Sequence, residues 1–151
     1  MKVIRNIAIA SLLLASSGAF AAGKTCKVEI TGGDNMQFDK KELAVAADCT
    51  DVEITLHHSG KLPAQAMGHN VVIAKTADIA GIAGDGAGAG FANDHIKPGD
   101  ARVIAHTKIV GGGQTTTVTF PTSKLKKGEA YSFFCSFPGH WSIMKGAFKF
   151  G

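Results

Sequence analysis

Val52-Glu53-Ile54-Thr55-Leu56-His57 sets an apolar side chain at every second position and a polar one between. Successive side chains of a strand point to opposite faces, so this run reads as a strand with one face in a core and the other in water. The same period appears upstream in Cys26-Lys27-Val28-Glu29-Ile30, which Thr31-Gly32-Gly33-Asp34 breaks. Downstream, Asn70-Val71-Val72-Ile73-Ala74 is continuously apolar, as suits a strand buried on both faces. Further strands are expected over 102–110, 115–120, 130–135 and 146–150, with Gly111-Gly112-Gly113 as a hairpin-like break between the first two. One segment departs from the pattern. Thr76 is a candidate N-cap, Asp78 lies in the first turn, and Ile79 and Ile82 share a face, so a short helix is expected over 76–84. The Gly/Ala-rich stretch that follows to Gly90 is a poor helix former and is expected to wind as an irregular flap. About seven or eight short strands separated by turns define an all-β sandwich of Greek-key type with one insertion around 76–90.

The N-terminus bears on compartment. Lys2 and Arg5 precede an apolar run from Ile7 to Leu14, and Ala19-Phe20-Ala21 has the A-x-A form of a secretory cleavage site. The run is shorter than the roughly 20 residues a membrane span needs, so 1–21 reads as a cleavable export signal and 22–151 as a single domain. Without Lys2 and Arg5, 14 of the 16 Lys+Arg remain against 12 Asp+Glu. Such a balance, with no basic run interleaved with aromatics, gives no case for nucleic acid.

Three cysteines in an exported chain leave one over after pairing. A bond between Cys26 and Cys49, 23 positions apart, would stabilise the fold by about 3 kcal/mol in the chain-entropy model. Other pairings stay open on sequence alone, but only this one releases Cys135, whose neighbours suit a metal.

Those neighbours lie in Phe133-Phe134-Cys135-Ser136-Phe137-Pro138-Gly139-His140-Trp141-Ser142-Ile143-Met144. A strand delivers Cys135, the Pro138-Gly139 turn returns His140, and a second turn places Met144. Soft thiolate and thioether with borderline imidazole favour copper in both oxidation states, and two His with one Cys and a distant axial Met is the blue-copper donor set. Of the six histidines, His69 best supplies the second imidazole. It opens the buried run, and it follows Met67-Gly68, where glycine permits a close backbone approach. His57, His58, His95 and His106 lack metal-ligand neighbours and read as surface or packing residues. Taken singly, Cys135 would be a small buried hydrophobe and Met144 core filler. The joint pattern C-x4-H-x3-M with Met-Gly-His-Asn upstream is hard to obtain by packing alone.

On Met67-Gly68-His69-Asn70, Phe134-Cys135-Ser136-Phe137-Pro138-Gly139-His140 with Met144, and Arg102-Val103-Ile104-Ala105-His106-Thr107-Lys108, the chain resembles the azurins, bacterial members of the cupredoxin family. The resemblance covers nearly all of the chain after the export signal, and the Cys26/Cys49 pair also fits it. It implies an eight-stranded cupredoxin-like sandwich, with type 1 copper held by His69, Cys135 and His140, an axial Met144, and a weak contact from the Gly68 carbonyl. It further implies that the N–H groups of Asn70 and Phe137 donate to the Cys135 sulfur. Two positions depart from the family habit: Val71 stands where azurins commonly carry a buried tryptophan, and Trp141 stands where a small residue is usual.

The expected function is periplasmic one-electron transfer through an exposed His140 edge, as a monomer rather than an enzyme. An apolar rim of Leu62, Met67, Phe137, Pro138 and Gly139, extended by Pro63 and Ala66, would meet c-type cytochromes or copper oxidoreductases in brief encounters, without stable membrane insertion. The alternatives are periplasmic copper storage or delivery and, from another class, a metal-free adhesion sandwich.

Overall fold

The computed structural model describes residues 23–151; the export signal expected over 1–21 lies outside the described residues. Eight strands, β1 (Thr25–Gly32), β2 (Glu42–Val45), β3 (Asp51–His58), β4 (Val72–Lys75), β5 (Val103–His106), β6 (Thr115–Pro121), β7 (Tyr131–Phe134) and β8 (Lys145–Phe150), form two sheets. One runs β1-β3-β6 and the other β2-β8-β7-β4-β5. Pairings are antiparallel except β1 with β3 and β2 with β8. Two short helices, α1 (Ala64–Met67) and α2 (Ile79–Gly86), interrupt the strands.

The inward positions of β3 are Val52, Ile54, Leu56 and His58, all at most 2% exposed, opposite Val71, Ile73, Phe133 and Phe148 of the other sheet. Stacked sheets approach to about 10 Å, so such residues from both inner faces share one apolar layer. Cys26 and Cys49 are bonded to each other, and Cys135 is free and buried. The bond ties β1 to the turn that enters β3.

Four local features differ from the sequence expectations. β2 was not foreseen: Glu42-Leu43-Ala44-Val45 is only four residues long, with Leu43 and Val45 buried. Thr76 caps nothing; its hydroxyl pairs with that of Ser132 at 2.9 Å, and Thr76–Asp78 is a 3-10 turn ahead of α2. The glycine-rich stretch is helical to Gly86 and 3-10 over Ala87–Ala89, because Ile79, Ile82, Ala83 and Gly86 follow an i, i+3, i+4, i+7 spacing that seats one face on the sheet. Finally, Gly111-Gly112-Gly113 carries the chain from one sheet to the other instead of making a hairpin. A side chain on Gly112 would meet the Gly60 carbonyl oxygen at 2.5 Å and Lys61 Cα at 2.6 Å, so the crossing requires a bare backbone there.

Candidate metal centre

β7 ends at Phe134 and hands Cys135 to the end of the sandwich, where the chain folds into a knitted loop. Cys135 N–H donates to the Met144 carbonyl at 3.0 Å, His140 N–H to Phe137 at 2.9 Å, and Met144 N–H back to His140 at 2.8 Å. His69 is fixed from the other side by reciprocal backbone bonds with Val110 at 3.0 and 2.9 Å. The Cys135 sulfur then lies 3.9 Å from His69 Nδ1 and 3.6 Å from His140 Nδ1, and the three donor atoms all fall within 4.8 Å of one another. Three atoms about 2.0–2.3 Å from a common centre in trigonal array would be spaced in this way, so the donors fit one soft cation. The Gly68 carbonyl oxygen is 3.8 Å from the same sulfur.

Burial and hydrogen bonding set the donors for a metal. His69 Nε2–H donates to the Gly33 carbonyl at 2.8 Å, which leaves Nδ1 as the free lone pair facing the sulfur. Burial lowers the His69 pKa, and it pushes His140 down to about 4, helped by the neighbouring His69 and His58 rings. Both imidazoles are therefore unprotonated at neutral pH. Burial raises the Cys135 thiol to about 11, although the N–H groups of Asn70 and Phe137 pull against that rise. These are the two donors the resemblance implies, and they act on the sulfur itself.

Met144 is wholly buried, with its methyl beside the His69 ring across Gly32. A Cβ on Gly32 would lie 2.8 Å from Met144 Cε and 3.1 Å from His69 Cδ2, so this glycine leaves the space that both side chains use. Gly68 is also needed, chiefly for packing: its φ of −70° is ordinary, but a Cβ would strike the Ala64 carbonyl and lie 2.5 Å from Ile109 Cγ2.

One expectation becomes specific and one needs correction. Of the four histidines read as surface or packing residues, His58 is a packing one: it is 2% exposed and stacks on His69, with ring centroids 4.4 Å apart and planes at 10°. Its Nε2–H donates to the Met67 carbonyl at 2.7 Å, and its Nδ1 accepts from Gly60 N–H at 3.1 Å. The inward parity of β3, continued one step past Leu56, would have found it. The His140 edge is also less open than expected, at 3% exposure, because the Phe137 ring packs over it at 4.7 Å.

Asn70 joins the two ligand-bearing segments. Its Nδ2 donates to Ser136 Oγ at 2.8 Å, and its Oδ1 accepts from Ser136 N–H at 2.9 Å. Ser136 Oγ in turn reaches the carbonyl of Asp94 at 2.6 Å, and the Asp94 carboxylate accepts from Ile109 N–H at 2.8 Å. Neither Ser136 nor Asp94 carried a sequence signal, since each acts through contacts remote along the chain. Val71 fills the core, and Trp141 packs on the cluster beneath α2. Of the rim, Leu62 is 42% exposed, Pro63, Ala66, Pro138 and Gly139 are exposed, and Met67 and Phe137 are half-buried.

The family model for copper binding proteins of the plastocyanin/azurin type matches residues 24–151, and the chain belongs to that family. Within it the resemblance is to azurins. The azurin of Alcaligenes faecalis is 57% identical over 126 residues, covering 83% of this chain and 98% of that protein. The azurin of Pseudomonas chlororaphis is 56% identical over 122 residues, covering 81% and 95%. The solved azurin Az-iso2 of Methylomonas sp. strain J superposes with a TM-score of 0.81 at 45% identity, over 83% of this chain and 98% of that one. The fold is thus the cupredoxin sandwich, and the cofactor of the family, one type 1 copper, has a His-Cys-His donor group waiting for it.

Proposed function

We propose that this chain is an exported, monomeric one-electron carrier whose copper would be held by His69, Cys135 and His140, with Met144 and the Gly68 carbonyl as weaker contacts. The observation that carries the reading is the donor triad itself, buried and preset in its unprotonated imidazole form. Copper bound there would supply a Cu(II)/Cu(I) couple that takes up and releases one electron.

The protein's own residues do the rest. Full burial of Cys135, His69 and Met144 excludes water, and the Asn70–Ser136 bonds hold the two ligand segments at a fixed separation, so little rearranges with a change of charge. The N–H groups of Asn70 and Phe137 withdraw electron density from the sulfur, which tunes the affinity for an electron. His140 is the least covered of the four side chains, so electrons would pass by its edge, beneath the rim of Leu62, Met67, Phe137, Pro138 and Gly139. An apolar rim of that kind suits brief contacts with c-type cytochromes or copper oxidoreductases.

A periplasmic location, with cleavage after Ala21 and a single domain over 22–151, agrees with the disulfide and with a family match that starts at residue 24. Among the described residues no helix is long and apolar enough to cross a membrane. Carrier and delivery readings separate under repeated reduction and oxidation beside a Cu(I) chelator. A carrier keeps its copper through every cycle. Loss of the metal on reduction would reassign the chain to storage or delivery.

A further inference from the structure

The outer face of the five-stranded sheet is only partly covered. Ile79 and Ile82 of α2, with Ile96, lie over Val72, Ala74 and Phe134. Farther along, the paired residues Ser132 and Ala147 carry small side chains, and the sheet there is the floor of a groove of about 920 Å3. That volume falls in the upper part of the roughly 300–1,000 Å3 range of small-molecule sites. Ala77 and Ala80 border it on the helical side, and Trp141, the only tryptophan of the chain, stands at its wall.

Lysines outnumber carboxylates on the rim. Lys127, Lys145 and Lys149 line it, and the single acidic residue among the lining, Glu129, is engaged by Lys75 at 2.6 Å. Lys149 pairs with Glu42 at 2.7 Å, outside the groove. Among the described residues Lys127 and Lys145 have no carboxylate partner, and Lys145 Nζ rests 5.8 Å above the Trp141 ring. The floor offers nothing to a peptide backbone. β7 and β8 are each hydrogen-bonded on both sides, and the Thr76 and Ser132 hydroxyls bond each other. An extended peptide in this groove would leave its amides unpaired, which is costly; a hydrocarbon chain would not.

We propose that this groove binds a single-chain amphipathic anion, such as a medium-chain fatty carboxylate. The alkyl chain lies along Ala147 and Trp141, and the carboxylate meets the lysine rim. The inference is independent of the copper function, because no groove residue is a donor to the metal.

The test uses the copper-loaded protein and dodecanoate kept below its micelle concentration, followed by calorimetry and by Trp141 fluorescence. Saturable binding at one site with a change in that emission is expected. Ala147→Phe fills the floor without changing charge and should weaken binding about tenfold or more, as overpacking of a small site does. Lys145→Gln should weaken it about two- to fivefold, the scale of an exposed charge contact. Both positions are at the surface, and retention of the native circular dichroism shows that each variant has folded. The proposal is overturned if dodecyltrimethylammonium binds as tightly as dodecanoate, or if Ala147→Phe binds unchanged. It is equally overturned if the protein ignores dodecanoate and adheres only to anionic phospholipid vesicles, which would make the lysine face a membrane contact.

Discussion

Asn70 shows how a residue that touches no metal can govern a metal site. Both polar atoms of its amide are committed to Ser136, the residue after Cys135, and all these groups are buried. Replacing a buried partner of this kind leaves a donor or acceptor unsatisfied, which costs about 1–3 kcal/mol per group. Asn70→Ala should therefore lower the unfolding free energy of the copper-free protein by about 2–3 kcal/mol in denaturant titration. Because the two ligand segments are also released from each other, copper should leave the variant faster in chelator competition. At this scale the sequence was legible where chemistry is local. Cys135 and His140 announce themselves by spacing within one loop, whereas His69 had to be ranked above five other histidines. His58, Gly32 and Ser136 were passed over because their roles arise only when β1, β3 and the ligand loop meet in space. Of these, His58 was recoverable from the parity of β3.

Among the elements, β1 and β3 illustrate how covalent and packing constraints combine. They run parallel in full register from Thr25↔Asp51 to Gly32↔His58, and parallel neighbours need a crossover to connect them. Here the crossover holds β2 and ends at Cys49, which is bonded back to Cys26 in the second residue of β1. Opening that bond frees a 23-residue separation and should cost about 3 kcal/mol of stability, within the spread of such values. Thermal unfolding of Cys26→Ala/Cys49→Ala measures it, and because β1 approaches the metal centre at Gly32, the end remote from the bond, the copper spectrum should survive at low temperature. β1 and β3 were legible because alternation along eight residues is an unambiguous signal, and β4 because its run is continuously apolar. β2 was not, since four residues with two apolar positions resemble any loop. The flap expected beyond Gly84 was misjudged for a different reason: glycine disfavours an isolated helix, but a glycine at position 86 lets α2 lie close against the His95 carbonyl, so tertiary packing overrides propensity.

For the molecule as a whole, the buried site couples folding to protons and to metal. In the unfolded chain His140 takes up a proton near its ordinary value of 6.5, while in the folded copper-free protein it does so only near 4, and His69 is lowered as well. The unfolded state therefore binds more protons between these values, and stability falls as pH drops from 6.5 toward 4. The slope approaches about 1.4 kcal/mol per pH unit for each imidazole that titrates. Below 3.8 the loss continues through Asp39 and Asp100, whose carboxyls are held low by hydrogen bonds from Thr31 and Arg102. Denaturation midpoints of the copper-free protein across pH 4 to 7 check this trend. Copper should steepen that curve, because it holds Cys135 as a thiolate and both imidazoles without protons in the folded state, while the unfolded chain takes up a proton at each. The whole reading stands on Cys135 as the thiolate donor. The decisive measurement is the optical and EPR spectrum of the Cu(II)-loaded protein beside that of Cys135→Ser. An intense blue absorption in the parent that vanishes in the variant is the expected result; a variant that keeps the blue colour would show that the sulfur of Cys135 is not the ligand.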